Sequence, residues 1–298
     1  MDTNRLLPFL AIPLLLLAVE IGALMISLPV QASGIVAFQD PTSVANPIIF
    51  IAILLVFTGF LLVLIKYDLK KVIAAVIGIS IFLTFAYIFA ALVYAAIGFT
   101  DIANVVVLIL SILATVLLYK YPEWYVIDVL GVLIGAGVAS IFGVSLDIIP
   151  VLILLILLAA YDAIAVYKTK HMITLAEGVI DMKTPILFVI PKKRDYSFIR
   201  EGIGKLADGG ERSAFIIGMG DMIMPSMLVV SANVFLKGYR LFGLVNLPAL
   251  GAIIGSLAGL AVLLYFVNSG KAQAGLPPLN GGTILGFLAG WALMGMMG

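Results

Sequence analysis

Nine apolar runs, each close to the length needed to cross a bilayer, follow one another along this chain: residues 6–28, 47–65, 72–97, 102–118, 126–144, 148–167, 213–236, 244–267 and 282–298. A spanning helix needs roughly 20 apolar residues, with a range of about 17–25. Only 11% of the 298 residues are charged and 63% are hydrophobic, whereas soluble domains carry about 25% charged residues. The expectation is an all-α polytopic membrane protein of nine transmembrane helices, multi-pass in the cell membrane. It forms a single membrane domain, 1–298. Residues 1–167 hold the first six helices, 168–212 a cytoplasmic loop with a short strand, and 213–298 the last three helices.

The first run resembles a signal peptide, with Arg5, a Leu-rich core and Val30-Gln31-Ala32 as a cleavage site. It is long for that role and contains Glu20, which favours a retained helix. Orientation follows from Lys and Arg, which concentrate in cytoplasmic loops. With the N-terminus cytoplasmic, the inside segments hold Arg5, Lys66, Lys70, Lys71, Lys120, nine basic residues in 168–212, and Lys271. Only Lys237 and Arg240 of the 17 basic residues fall outside. This split predicts a cytoplasmic N-terminus and an external C-terminus.

The formal net charge of +1 leaves no basic field for a nucleic acid. With no cysteine there are no disulfides, thiolate nucleophiles or Cys-ligated metals. His171 is the only histidine, so a HExxH zinc site is impossible, and no metal or other cofactor is expected.

Two acids stand out against this background. Asp162 lies in the run 148–167 and Asp221 in the run 213–236, on either side of the one long polar loop. A carboxylate in hydrocarbon costs several kcal/mol, so intramembrane acids face a partner or a water-filled cavity. Asp162 is six residues before Lys168, roughly 9 Å along a helix, and Asp221 nine residues after Arg212, roughly 13 Å. On antiparallel neighbours the two would share one plane, nearer the cytoplasm than the bilayer centre.

Carboxylates in contact share a proton and titrate as a pair. Aspartyl proteolysis requires such a pair: one activates water, while the other polarises the scissile carbonyl and later protonates the leaving nitrogen. The acids alone rank a proton or cation pathway higher, because intramembrane acids are commoner in transporters. The neighbouring residues change that ranking. Tyr161 precedes Asp162, and Gly218-Met219-Gly220 precedes Asp221. Glycine lets another backbone approach, which peptide cleavage needs and a relay does not. Ordinary small-residue helix packing is the competing explanation.

Tyr161-Asp162, followed after a long polar loop by Gly218-x-Gly220-Asp221, resembles the presenilin and signal peptide peptidase family of intramembrane aspartyl proteases. The span count and orientation resemble the presenilin branch. The resemblance implies a catalytic pair, Asp162 and Asp221, with Tyr161, Gly218, Met219 and Gly220 shaping the substrate site. It also implies a Pro-Ala-Leu signature at the start of the last span. The literal string, Pro248-Ala249-Leu250, opens the eighth run at the wrong end. The topological equivalent is Gly275-Leu276-Pro277-Pro278-Leu279-Asn280, so the role passes to Pro277 and Leu279, with Pro278 in place of the alanine. Prolines oppose helix, so an extended stretch offering backbone groups is expected; a Pro-rich helix start is the alternative.

Within the loop, Pro185 and Pro191 frame Ile186, Leu187, Phe188, Val189 and Ile190, a short strand by composition. The strand is expected to clamp unwound substrate by strand addition, the alternatives being a membrane-surface segment or an internal hairpin. Lys192-Lys193-Arg194 marks the cytoplasmic face and contacts anionic lipid. Asp128 is expected to reach the interface, Glu20 needs a polar neighbour, and the second and third spans read as scaffold. The expected partners are transmembrane-helix peptides and the lipid bilayer; a homo-oligomer is left open.

Overall fold

The computed structural model describes residues 3–169, 187–193, 195–202, 214–238, 240–241, 243–267 and 273–297. His171, Pro185, Ile186 and Arg194 lie outside the described residues. In chain order the elements are α1 (Thr3–Ser33), α2 (Ala45–Lys66), α3 (Lys70–Ile97), α4 (Asp101–Lys120), α5 (Trp124–Ser145) and α6 (Ile148–Ile164). A π-helical turn (Ala165–Thr169), β1 (Leu187–Pro191), a single helical turn (Phe198–Glu201) and β2 (Ala214–Gly218) follow. The rest comprises α7 (Met219–Phe235), short strands β3 (Arg240–Leu241) and β4 (Val245–Asn246), α8 (Leu247–Val267) and α9 (Leu276–Met297). Among the described residues eight helices are long and apolar enough to cross a membrane, and α7 is a shorter apolar helix.

The core lies where α1, α5 and α7 meet. Leu16, Val19 and Ala23 of α1 are fully buried there, so α1 is part of the bundle. Small residues bring α1 and α5 close: a Cβ at Gly22 would lie 3.0 Å from that of Ala136. Several polar groups in this apolar interior find partners within the protein. Ser140 Oγ donates to the Ala23 carbonyl at 2.6 Å. Glu20, fully buried, accepts from Ser256 Oγ of α8 at 2.6 Å, which is the neighbour its position demanded.

α8 and α9 pack along two glycine repeats, Gly251-Gly255-Gly259 and Gly282-Gly286-Gly290. Four-residue spacing puts each set on one helix face, and without side chains the backbones touch, as small-xxx-small interfaces allow. A Cβ at Gly255 would overlap the Gly282 carbonyl, and one at Gly259 the Pro278 carbonyl. The start of α9 is thereby fixed against α8. Asn280 Nδ2 ties it to α6 through the Leu155 carbonyl at 2.9 Å.

Four expectations need correction. The run 213–236 is not helical throughout: Ala214–Gly218 is a strand, and the helix starts at Met219. The last helix starts at Leu276, so Pro277 to Leu279 are helical rather than extended. Pro277 and Pro278 fit because first-turn N–H groups have no helical acceptor to lose. Asp128 does not reach the interface; it is buried and accepts from the Val189 amide of β1 at 2.9 Å. Finally, α2 is more than scaffold, because its Phe50, Ile53, Leu54 and Phe57 line a large cavity.

The glycine repeats predict that Gly255→Leu forces α8 and α9 apart. Overpacking of this kind costs about 1–3 kcal/mol. The thermal unfolding midpoint in detergent should fall, whereas Gly59→Leu, at a position with open space around it, should leave it unchanged.

Candidate active site

Asp162 occupies the last turn of α6, where the helix loosens into the π-helical turn. Asp221 is the third residue of α7. Gly218 caps that helix in an extended conformation, φ −63° and ψ 132°, so the chain passes from strand to helix within four residues of the acid. A carboxylate in a first helical turn is stabilised by the unpaired N–H groups and the dipole there. Further along, Pro225 has no N–H to give the Asp221 carbonyl, the acceptor four residues back.

Both acids open on one cavity of about 610 Å³. Its lining is largely apolar, with Phe38, Phe50, Phe57, Phe142, Leu158 and Met224, and it also takes in Tyr161, Asp162, Gly220, Asp221 and Leu276. Asp162 is 8% exposed and Asp221 is half-buried. A Cβ at Gly220 would meet open space, so the backbone beside Asp221 is uncovered.

The start of α9 links the two carboxylates. The Leu276 N–H donates to Asp162 Oδ2 at 3.0 Å. A side chain on Gly275 would begin 2.8 Å from Asp221 Oδ2. The prolines that follow carry no N–H, which leaves Leu276 as the first-turn amide presented to Asp162. Tyr167, in the π-helical turn, steadies the approach: its hydroxyl bonds Gln273 Oε1 at 2.9 Å and accepts from the Ala274 amide at 3.3 Å. One segment thus meets both acids, one by a hydrogen bond and the other by the absence of a side chain.

β1 and β2 form an antiparallel pair in the register Leu187↔Gly218, Val189↔Ile216, Pro191↔Ala214. Strand amides point alternately to the two sides of an antiparallel ladder. The Val189 N–H is taken by Asp128, so Val189↔Ile216 is a pair without mutual hydrogen bonds, and ladder bonds run through Phe188↔Ile217 and Ile190↔Phe215. Pro191 falls at another such pair, where its missing N–H loses nothing. On β2, Ala214, Ile216 and Gly218 then turn their backbone groups away from β1, and among the described residues no strand pairs with that edge. In the loop, burial near Glu201 and Glu123 pushes the Tyr196 phenol up to about 12, and as a neutral donor it bonds the Gly202 carbonyl at 2.7 Å.

A family model described as signal-peptide peptidase, presenilin aspartyl protease matches residues 13–296. The chain belongs to the signal peptide peptidase and presenilin family. Two solved structures of a presenilin family intramembrane aspartate protease, in P2 and C222 space groups, agree with it. The first is 54% identical over 96% of this chain and 98% of its own, with a TM-score of 0.70. The second is 52% identical over 97% and 99%, also with a TM-score of 0.70. Among curated proteins none matches. The chain is therefore a multi-pass membrane protein and an intramembrane aspartic endopeptidase. The proton or cation pathway is not favoured.

Of the residues expected at the site of this presenilin-family protease, Tyr161, Asp162, Gly220 and Asp221 line the cavity, and Gly218 lies beside the Asp221 carboxylate. Met219 does not; it is buried against α5, its methyl 2.8 Å from where a Cβ on Gly131 would sit. Phe188, Val189 and Ile190 are also buried, so β1 turns its side chains into the core. Pro277 faces a separate cavity of about 320 Å³ between α6 and α9, the Pro278 carbonyl abuts Gly259, and Leu279 is buried. Sequence reasoning missed Gly275 and Leu276. The signal was present, since both open the segment aligned with the third family signature. The α2 wall left no signal, because its residues match those of a lipid-facing helix.

Gly275→Ala should put a methyl into the Asp221 carboxylate. Misplacing a reacting group by about 1 Å costs on the order of 100-fold in rate. Cleavage of a transmembrane peptide should fall by that order while the unfolding midpoint is retained.

Proposed function

We propose that Asp162 and Asp221 are the catalytic pair of this protease, and that it cuts single-span helices near their cytoplasmic ends. The observation that carries this reading is the shared cavity, with the Gly275–Leu276 segment touching each carboxylate. The pair holds one proton. The ionised carboxylate takes a proton from water as its oxygen attacks the scissile carbonyl, and the protonated partner hydrogen-bonds that carbonyl oxygen. The C–N bond of the tetrahedral intermediate then breaks, and the nitrogen leaves with a proton from the pair. One negative charge is shared by the pair and the substrate throughout, so no second charge has to enter the apolar chamber.

The chain makes nine spans, with the N-terminus cytoplasmic and the C-terminus outside. Support comes from the concentration of Lys and Arg in the segments assigned inside and from α7 as the ninth apolar helix. A substrate helix must unwind before it is cut. The edge of β2 turned away from β1 suits an extended peptide, whose amides would pair with Ile216 and Gly218, three residues from Asp221 at the nearer end. The strand-addition role expected of β1 passes to β2 because α5 covers β1. Tyr161 and Gly220 shape the cut site, and Leu276 orients Asp162.

Asp162→Asn and Asp221→Asn should each abolish cleavage of a labelled transmembrane peptide by purified protein in detergent. Persistent cutting in either variant removes that residue from the pair. Because one proton is shared, the wild-type rate should follow a bell-shaped pH profile, falling when both carboxylates are protonated and when both are ionised. A rate that rises monotonically across the acid range would contradict the shared proton.

A further inference from the structure

We propose that Asp128 is a positioning residue: through the Val189 amide it fixes β1, and with it the register in which a peptide lies along β2 before Asp221. The inference rests on the reading that β2 receives the unwound substrate. Asp128 sits one turn into α5 and is buried. Burying a carboxylate is costly unless it is hydrogen-bonded, and here Oδ1 accepts the Val189 N–H at 2.9 Å. This is the amide on the side of β1 facing away from β2, so the contact takes nothing from the ladder.

Residue 131 lies on the same face of α5 as 128, three positions on. A Cβ on Gly131 would lie 2.8 Å from the Met219 methyl and 2.9 Å from the Phe188 ring. Phe188 is in β1, and Met219 begins the helix that carries Asp221. One face of α5 therefore seats both the strand and the root of the catalytic helix. Glu123, at the start of α5, holds the loop beyond the strand, accepting from Ser197 Oγ at 2.6 Å and from the Phe198 amide at 3.0 Å. The loop is tied to α5 on both sides of Lys192 and Lys193. Packing alone permits a strand to slide along an apolar face, and the Asp128–Val189 bond is the polar contact that selects one position.

The test maps cleavage sites by mass spectrometry on a synthetic transmembrane peptide, with KM and kcat measured separately. Asp128→Ala should spread cutting to bonds two residues from the main site, the strand repeat. It should also raise KM by about tenfold, the weight of one hydrogen bond, with kcat within a few-fold of wild type. Asp128→Asn keeps an acceptor oxygen and should restore the single site. Val189→Pro removes the same bond from the other partner and should reproduce the Asp128→Ala pattern, which keeps the test decisive if Asp128→Ala fails to fold. Unchanged cleavage positions and KM in either bond-breaking variant overturn the proposal, as does lost activity that tracks only the unfolding midpoint. Ile216→Pro separates the underlying reading, because it removes an amide that β2 would give the peptide. If it cuts normally while Asp128→Ala shifts the sites, the strand on β2 is wrong and the brace stands; the reverse result rejects the brace alone.

Discussion

The Leu276 main-chain amide on Asp162 Oδ2 holds the start of α9 to the end of α6 beside the second acid. In an apolar interior a polar group gains strongly from a partner within the protein, so a bond of this kind fixes where two helices stand. The same rule recurs at Glu20 and Ser256, Ser140 and Ala23, Asn280 and Leu155, and Asp128 and Val189. Each joins elements far apart in sequence. Apolar contacts among aliphatic helices are weakly directional. These few bonds therefore supply the register that a bundle of similar helices otherwise lacks, and Asn280 and Leu276 place the start of α9 against α6.

The surroundings of the two acids depend on an absence as much as on a bond. Asp221 has room because Gly275 brings no side chain and Gly220 leaves its backbone bare. The cavity lining also holds an aromatic cluster: the Phe50 and Phe142 rings meet edge to face at 5.1 Å, and Phe38 joins Phe142 at 6.3 Å. An apolar chamber with two acids in its lining strengthens electrostatic interactions inside it. It also matches what an apolar helical substrate presents.

The acids were legible in the sequence because charge in an apolar run has few explanations. The depth argument for them rested on a helix beginning near Arg212. Five residues of that stretch are instead strand, with a longer rise per residue. A short apolar run cannot be told from part of a helix by periodicity, so Ala214–Gly218 was invisible inside a longer hydrophobic segment. The strand at 187–191 was legible because polar residues and prolines isolate it. Asp128 was misplaced for a related reason: position along a helix gives distance to its end, not what folds back over it. The prolines at 277 and 278 argued against helix only for a helix interior, and both stand in a first turn.

The glycine faces of α8 and α9 have a mechanical meaning. At one end Gly259 meets the Pro278 carbonyl, beside the segment that touches both acids; at the other Gly290 meets Leu247 and Pro248. Backbone held against backbone has no side chains to absorb a displacement. The pair forms a closely packed beam, with the segment that meets Asp162 and Asp221 at its tip. The literal Pro248-Ala249-Leu250 string, remote from the chemistry, sits at the foot of that beam. The close backbone contact between α8 and α9 therefore runs from that foot to the segment beside the two carboxylates.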